Sequence, residues 1–430
     1  MAARGHRRAR ARRWLGAAGA ALTLALAASP PVQDLARVPA AIEVPAHSRW
    51  QAPWSRLIPV TVEPGPGVRT AAGDGRRLEL AVGPPGRSYV LFKWFGRLLF
   101  RRVPVDVVPA LAVVPGGESI GVIVRTQGLI VTGYDPLAGV RGLVDPAAEA
   151  GIEPGDVLVS VDGRPLEDPR QLVQATQAAG VAHRPVRVGD EGARRTFERW
   201  VWPVWDPARR RWELGLRVRD VASGVGTLTF WEPKSLVFRA LGHSVSDGLT
   251  RRPVAVRDGQ LLGARIVNIV PGTVDSPGEK VGVLTPPPPV GGRVTGNDRF
   301  GLSGVLSRAP DVGPSRPVPL ALPDQVHPGP ATLVTVVRGL KPEWFAVQIL
   351  ATYPQTHPAV KGILFRVTDP RLLRLTGGVV QGMSGSPLLQ DGRLVGAVTH
   401  VLVNRPQLGY ACYAAWMLPP AGARQDSGQG

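Results

Sequence analysis

The sequence predicts a mainly β protein made of several small domains, and three observations support this. Glycine and proline are abundant, at 52 and 44 of 430 residues. Apolar residues recur in short alternating runs broken by those two residue types, which is the period of half-buried strands, and long helical periodicities are scarce. The length allows two or three separate cores, and 44% hydrophobic residues suffice to fill them.

The first thirty residues are of a different kind. Arg4, Arg7, Arg8, Arg10, Arg12 and Arg13 precede an apolar run from Trp14 to Ala28, at about 15 residues shorter than the ~20 of a full span. Residues 1–30 are expected to be an export signal or a short membrane anchor, with the basic flank left in the cytoplasm and the rest carried across the membrane. Ala25-Leu26-Ala27 offers a small-residue cleavage site. Residues 40–112 then alternate in short runs, among them Leu78–Val82, Tyr89–Phe95 and Val103–Val108, and read as a small β domain without evident chemistry. His47 within it has no obvious partner.

Residues 113–205 carry a recognisable pattern. Ser119-Ile120-Gly121-Val122 precedes a strand, and Asp145 to Gly163 reads as a short helix at Ala147–Ala150, a Pro154-Gly155 turn, a strand at Val157–Val161 and an Asp162-Gly163 turn. This resembles a PDZ domain, with Pro169–Ala179 as the helix lining a peptide groove. The resemblance implies that a peptide adds as a strand and that the N–H groups of Ser119, Ile120, Gly121 and Val122 receive its carboxylate. Arg199–Trp212, rich in Trp, Arg and Pro, reads as a link to the last domain.

Residues 213–420 hold the chemistry. Leu214–Val218, Gly226–Trp231, Thr332–Val337, Trp344–Leu350 and Lys361–Val367 read as strands, and the proline-rich stretch 286–330 as loop. In Gly382-Met383-Ser384-Gly385-Ser386-Pro387 a serine stands in a tight turn between small neighbours, followed by two apolar strands joined at Asp391-Gly392. An uncrowded hydroxyl beside free backbone N–H groups is what a serine nucleophile needs. The turn resembles that of chymotrypsin-like serine proteases, with Ser386 in place of a second glycine, a change able to alter the turn or narrow the pocket. His243, after Gly242, is a candidate base. Asp369, before Pro370, is either a cap or the orienter of that base. Asp247 and His400 are rivals, the latter read as a packed strand histidine. By analogy the oxyanion donors are the N–H groups of Gly382 and Ser384.

Composition narrows the alternatives. A net charge of +18 invites nucleic acid, but beyond the N-terminus the arginines are scattered and no zinc spacing, basic helix or nucleic-acid module is present. The excess charge fits an anionic membrane surface at least as well. Cys412 is the only cysteine, so no internal disulfide is available; it sits in an apolar run as a small buried hydrophobe. The chemistry calls for no metal and no cofactor.

Across residues 40–420 the chain is similar to the stage IV sporulation protein B family, exported signalling serine peptidases of endospore-forming bacteria with a PDZ domain ahead of the protease. The phrases that carry the resemblance are Val114–Val122, Gly224–Phe230, Ala240–His243, Ser276–Lys280, Gly377–Pro387 and Gly396–Val401. It implies a chymotrypsin-like β-barrel domain with His243 as base, Asp369 as its partner and Ser384 as nucleophile. It further implies secretion from the forespore into the space between the spore membranes, and self-cleavage near the N-terminus. The implied substrate is the extracytoplasmic part of a membrane protein that restrains an intramembrane metalloprotease, and cutting it activates a late mother-cell sigma factor. The alternative function is a membrane-anchored PDZ adaptor whose protease-like domain is only a scaffold.

Overall fold

In a computed structural model, the structure describes residues 40–418 apart from 47, 54–59, 72–76, 109–110, 140–141, 192–195, 249–251, 285–289 and 356. The expected signal or anchor and His47 lie outside these residues. No helix among the described residues is long and apolar enough to cross a membrane. The chain divides into two compact units, residues 1–111 and 112–430.

The first unit is all β in its described residues. Strands Ile42–Pro45, Leu98–Val108, Gly86–Trp94 and Val60–Pro64 form one sheet in that order, and Arg49–Pro53, Arg77–Val82 and Val68–Ala71 form another. Alternation fixes which side is inside: Val90, Phe92, Val103 and Val105 are fully buried in its core, with Leu80 from the second sheet.

The second unit contains two six-stranded barrels. The first comprises β1 (Ser119–Tyr134), β4 (Leu216–Trp231), β5 (Val237–Leu241), β6 (Val256–Val270), β8 (Gly291–Asp298) and β9 (Gly301–Leu306). They pair in the order β1-β6-β8-β9-β5-β4, and pairing of β1 with β4 closes the ring. The second comprises β10 (Gly329–Thr335), β11 (Glu343–Thr352), β12 (Ile363–Val367), β13 (Pro387–Gln390), β14 (Arg393–Val401) and β15 (Leu408–Tyr413), closed in the order β10-β11-β12-β15-β14-β13. Taken in chain order, both barrels follow the same scheme, first-second-third-sixth-fifth-fourth. Each has its own core, around Phe238, Leu261 and Val294 in the first and Phe345, Phe365 and Met383 in the second. Closure leaves no open sheet edge. β7 (Glu279–Leu284) pairs with the far end of β6 as a hairpin standing off the first barrel.

Two expectations are corrected here. The stretch 286–330 is not simply loop: its described residues hold β8 and β9, two walls of the first barrel. Their sequences are glycine-rich, which lowers strand propensity, but the glycines admit backbone packing. A Cβ at Gly304 would lie 1.9 Å from the Arg293 carbonyl oxygen, and one at Gly301 would lie 2.0 Å from that of Ala240. Likewise Arg199–Trp212 is no bare link, because Thr196–Val201 pairs with β3 (Val186–Glu191) and Val204–Asp206 with Arg211–Glu213.

The PDZ fold lies between the first two strands of the first barrel rather than ahead of the protease. It holds α1 (Pro146–Glu149), β2 (Val157–Val161), α2 (Pro169–Val181) and β3 around a core of Leu129, Ile152, Leu158 and Val188. Asp168 and Gln171 close a capping box at the start of α2, with Pro169 in its first turn. β1 and β4 run through both bodies as one ribbon. Ser119–Arg125 pairs with Val221–Thr227 in the barrel, and Ile130–Tyr134 with Leu216–Arg219 in the PDZ fold.

Candidate active site

The serine turn joins β12 and α3 (Pro370–Thr376) to β13. Gly382 and Gly385, on either side of Met383-Ser384, have φ of 89° and 91°, where side-chain-bearing residues are strained. Gly385 has no room either: a Cβ there would lie 2.3 Å from the Thr227 carbonyl oxygen and 2.4 Å from the Leu241 nitrogen. The turn is pressed onto the first barrel, and hydrogen bonds cross the seam. Thr227 N–H donates to the Ser384 carbonyl at 2.9 Å, and Thr227 Oγ1–H to that of Gly382 at 2.8 Å. Ser384 is half-buried, and its hydroxyl has no hydrogen-bond partner among the described residues.

Two peptide planes set the oxyanion donors. The Gln381 carbonyl accepts from Lys280 N–H at 3.0 Å, and the Met383 carbonyl accepts from Ser386 N–H at 2.9 Å. In a trans peptide the N–H points opposite to the C=O, so the N–H groups of Gly382 and Ser384 turn away from those partners. Among the described residues neither finds an acceptor, whereas those of Gln381, Met383, Gly385 and Ser386 are all used. A pair of free N–H groups flanking a free hydroxyl suits a tetrahedral oxyanion.

His243 approaches from the first barrel. Leu241 and Gly242, with φ of 75° and 71°, turn the chain sharply at the end of β5; such a backbone costs a leucine about 1 kcal/mol. A Cβ on Gly242 would lie 2.9 Å from the Val398 carbonyl oxygen, the same oxygen that accepts Gly385 N–H at 2.7 Å. The histidine and serine segments thus meet on β14. His243 Nδ1 lies 3.0 Å from the Ser244 carbonyl, which only accepts, so Nδ1 carries the proton and Nε2 keeps the lone pair a base needs. Asn297 fixes the following loop through its side chain, accepting from Val245 N–H and donating to the carbonyls of Val245 and Val254.

The rival residues have other commitments. Buried Asp247 is paired with Arg219 of β4. His400 stands on β14 with its ring 6.0 Å from that of His243. Desolvation, then the charges of His243 and Lys361, push its pKa down to about 4, although the residue is exposed rather than packed as expected. It is neutral at pH 7 and a weak base.

Among the described residues no hydrogen bond or ion pair joins Asp369 to His243. Its carboxylate caps α3, accepting Arg371 N–H at 2.8 Å and pairing with the Arg371 guanidinium at 3.1 Å. Burial opposes its charge, but the Arg371 side chain and the N–H groups of Arg371, Ala346 and Leu372 more than offset this and hold the carboxyl below the usual range. His400 is level with Tyr410 and hence with Leu364, five residues before Asp369 and two strands away. The cap reading of an aspartate before proline is the one this geometry follows. Asp369→Asn, which keeps a capping oxygen, is therefore expected to retain activity within about tenfold, whereas loss of a true orienter costs about 10⁴-fold in kcat. Asp369→Ala is expected to lower stability by about 1–2 kcal/mol, read from urea unfolding.

Residues 210–418 match the family model described as SpoIVB peptidase S55, and residues 145–188 match a PDZ domain model. The two matches support a SpoIVB-family protein. It carries a serine peptidase domain, and the PDZ domain suggests peptide or protein binding. No curated protein matches the chain.

Within this SpoIVB-family fold the peptide-carboxylate assignment to Ser119, Ile120, Gly121 and Val122 is corrected. All four are buried in β1 and paired to β4, and Ile120–Val122 also to β6, so their N–H groups belong to a barrel wall and no edge is open to a peptide. A Cβ on Gly121 would lie 2.4 Å from the Leu284 side chain. Ser386 departs from the chymotrypsin-like turn without narrowing the pocket. Its side chain is fully buried and points to hydroxyls of the seam, 2.9 Å from that of Thr335 and 3.3 Å from that of Thr227. Cys412 is sealed in the second barrel, where burial pushes the thiol up to about 12, far from thiolate chemistry. Two groups escaped sequence reasoning, Asn297 and Lys280. Lys280 stood in a family phrase, but nothing in a linear pattern signals that a lysine is buried.

Proposed function

We propose that Ser384 is the nucleophile and His243 the general base of an endopeptidase site at the seam of the two barrels. The observation that supports this best is the pair of free N–H groups of Gly382 and Ser384 beside a free hydroxyl. His243 Nε2 takes the Ser384 proton as the oxygen attacks a peptide carbonyl, and the two N–H groups hold the oxyanion. The imidazolium then protonates the leaving amine, and water repeats the cycle on the acyl-enzyme. Asp369 serves the site indirectly, by anchoring the helix that leads into the serine turn. A fluorophosphonate–rhodamine probe is expected to label the purified chain, with label on the peptide holding Ser384. Absence of labelling, with full binding of PDZ peptides, would favour the adaptor function instead.

Resemblance to the family supports a reading of the biological setting. We infer export into the space between the forespore membranes, cutting of the extracytoplasmic part of a membrane protein, and activation of a late mother-cell sigma factor. Self-cleavage is expected within about Ser29–His47, since a chain's own segment reaches effective concentrations of ~mM. N-terminal sequencing of the purified protein and of Ser384→Ala tests it: a shortened terminus only in the former supports self-cleavage, and identical termini reject it.

A further inference from the structure

Behind the serine turn lies a buried polar cluster drawn from both barrels, and nothing in the catalytic steps above uses it. Its root is Lys280, at the start of β7, whose side chain is sealed from water. The Lys280 Nζ donates to Thr335 Oγ1 of β10 at 2.7 Å, with Ser119 Oγ at 3.5 Å. From Thr335 the hydroxyls continue to Ser386 and Thr227, and Thr227 ends on the Gly382 carbonyl at 2.8 Å. Thr335 Oγ1 accepts from both the Lys280 amine and Ser386 Oγ–H, Ser386 Oγ lies 3.3 Å from Thr227 Oγ1, and Thr227 donates onward, so polar contacts connect the Lys280 amine to the Gly382 carbonyl. The lysine stem also packs under the turn: a Cβ on Gly382 would sit 3.2 Å from Lys280 Cβ. The backbone joins in, since Lys280 N–H holds the Gln381 carbonyl and Gln381 N–H donates to Gly278 at 2.7 Å.

We propose that Lys280 is the positioning residue of the oxyanion pocket, fixing through Thr335, Ser386 and Thr227 the Gly382–Met383 peptide, which lies between the two planes that carry the N–H groups of Gly382 and Ser384. The proposal rests on the Ser384 site proposed above. A buried amine is costly, and desolvation pushes this one down to about 7. Packing alone is served as well by methionine, so a polar group kept here points to its hydrogen bond. Because the cluster makes no bond to the side chain of Ser384 or His243, losing it is expected to slow the reaction of bound substrate without weakening binding.

Fluorophosphonate–rhodamine supplies the test on the full purified chain, because its phosphonyl oxygen enters the same pocket; the inactivation rate and the concentration for half-saturation are measured separately. Lys280→Met is expected to lower the rate about 10–100-fold, somewhat less than the ~10²–10³ for deleting an oxyanion donor, with half-saturation within about twofold. Thr335→Val should reproduce this, the double variant should add little, and Thr335→Ser should restore most of the rate. Thermal unfolding identifies folded variants. A folded Lys280→Met labelling at the parental rate overturns the proposal, as do independent, multiplicative effects of Lys280→Met and Thr335→Val. If Lys280→Met does not fold, Thr335→Val against Thr335→Ser decides alone. An unlabelled parent refutes the serine site itself, a result distinguishable from failure of the lysine proposal.

Discussion

Ser384→Ala is expected to lower peptide hydrolysis by about 10⁴-fold or more while leaving the unfolding curve almost unchanged. Removing the nucleophile of a triad leaves only the catalysis that binding and the oxyanion pocket supply. Stability should hold because the hydroxyl makes no hydrogen bond among the described residues and the side chain is only half-buried. The backbone bonds of the turn, from Thr227 N–H to Ser384 and from Gly385 N–H to Val398, do not involve the side chain. Casein hydrolysis and urea unfolding of both proteins check the two halves. Hydrolysis at the parental rate by the pure variant would remove Ser384 from the chemistry.

One residue further on, the expected outcome reverses. Gly385→Val should cost at least about 3 kcal/mol and activity with it, because two penalties coincide. The φ of 91° is strained for any side chain, and a Cβ 2.3 Å from the Thr227 carbonyl cannot be placed without parting the two barrels. Both clashing atoms, in Thr227 and Leu241, are backbone, so no rotamer change relieves them. Gly224→Ala is the control: a Cβ there meets nothing within 4 Å, and the change should stay within about 1 kcal/mol. A drop in urea midpoint for Gly224→Ala equal to that for Gly385→Val would show that strand glycines in general, rather than the seam, set the cost.

The second barrel was legible from sequence because β11 and β12 alternate, β13 and β14 are short apolar runs, and the turn between the latter uses the residues that turns demand. Asp391 and Gly392, both at positive φ, join β13 to β14 as a two-residue hairpin. The first barrel was legible only in part. β8 and β9 spend their glycines on close backbone approach, which erases the apolar pattern that marks a strand. The position of the PDZ fold was hidden for another reason: a resemblance read along the chain gives order, not which distant strands pair. Ser119–Val122 looks like a carboxylate loop until its partners, Gly224–Thr227 and Gly263–Leu261, are known. At the site, glycine spacing and an unhindered serine are local and readable. The cap made by Asp369 and the burial of Lys280 depend on tertiary neighbours and are not.

The two-strand ribbon has a consequence for how the chain reaches its native state. Closing the first barrel requires residue 119 to find residue 227, a contact across about a hundred residues and among the slow steps in folding. The inserted domain shortens that search. Once its own core has formed, Ile130–Tyr134 already lies against Leu216–Arg219, and the remaining ribbon needs only to zip from that end toward Ser119 and Thr227. A peptide-recognition module placed there is thus also a tether that sets the order of events. The histidine arm follows β4 and β5 in the chain, so the active site is expected to assemble after the inserted domain has folded.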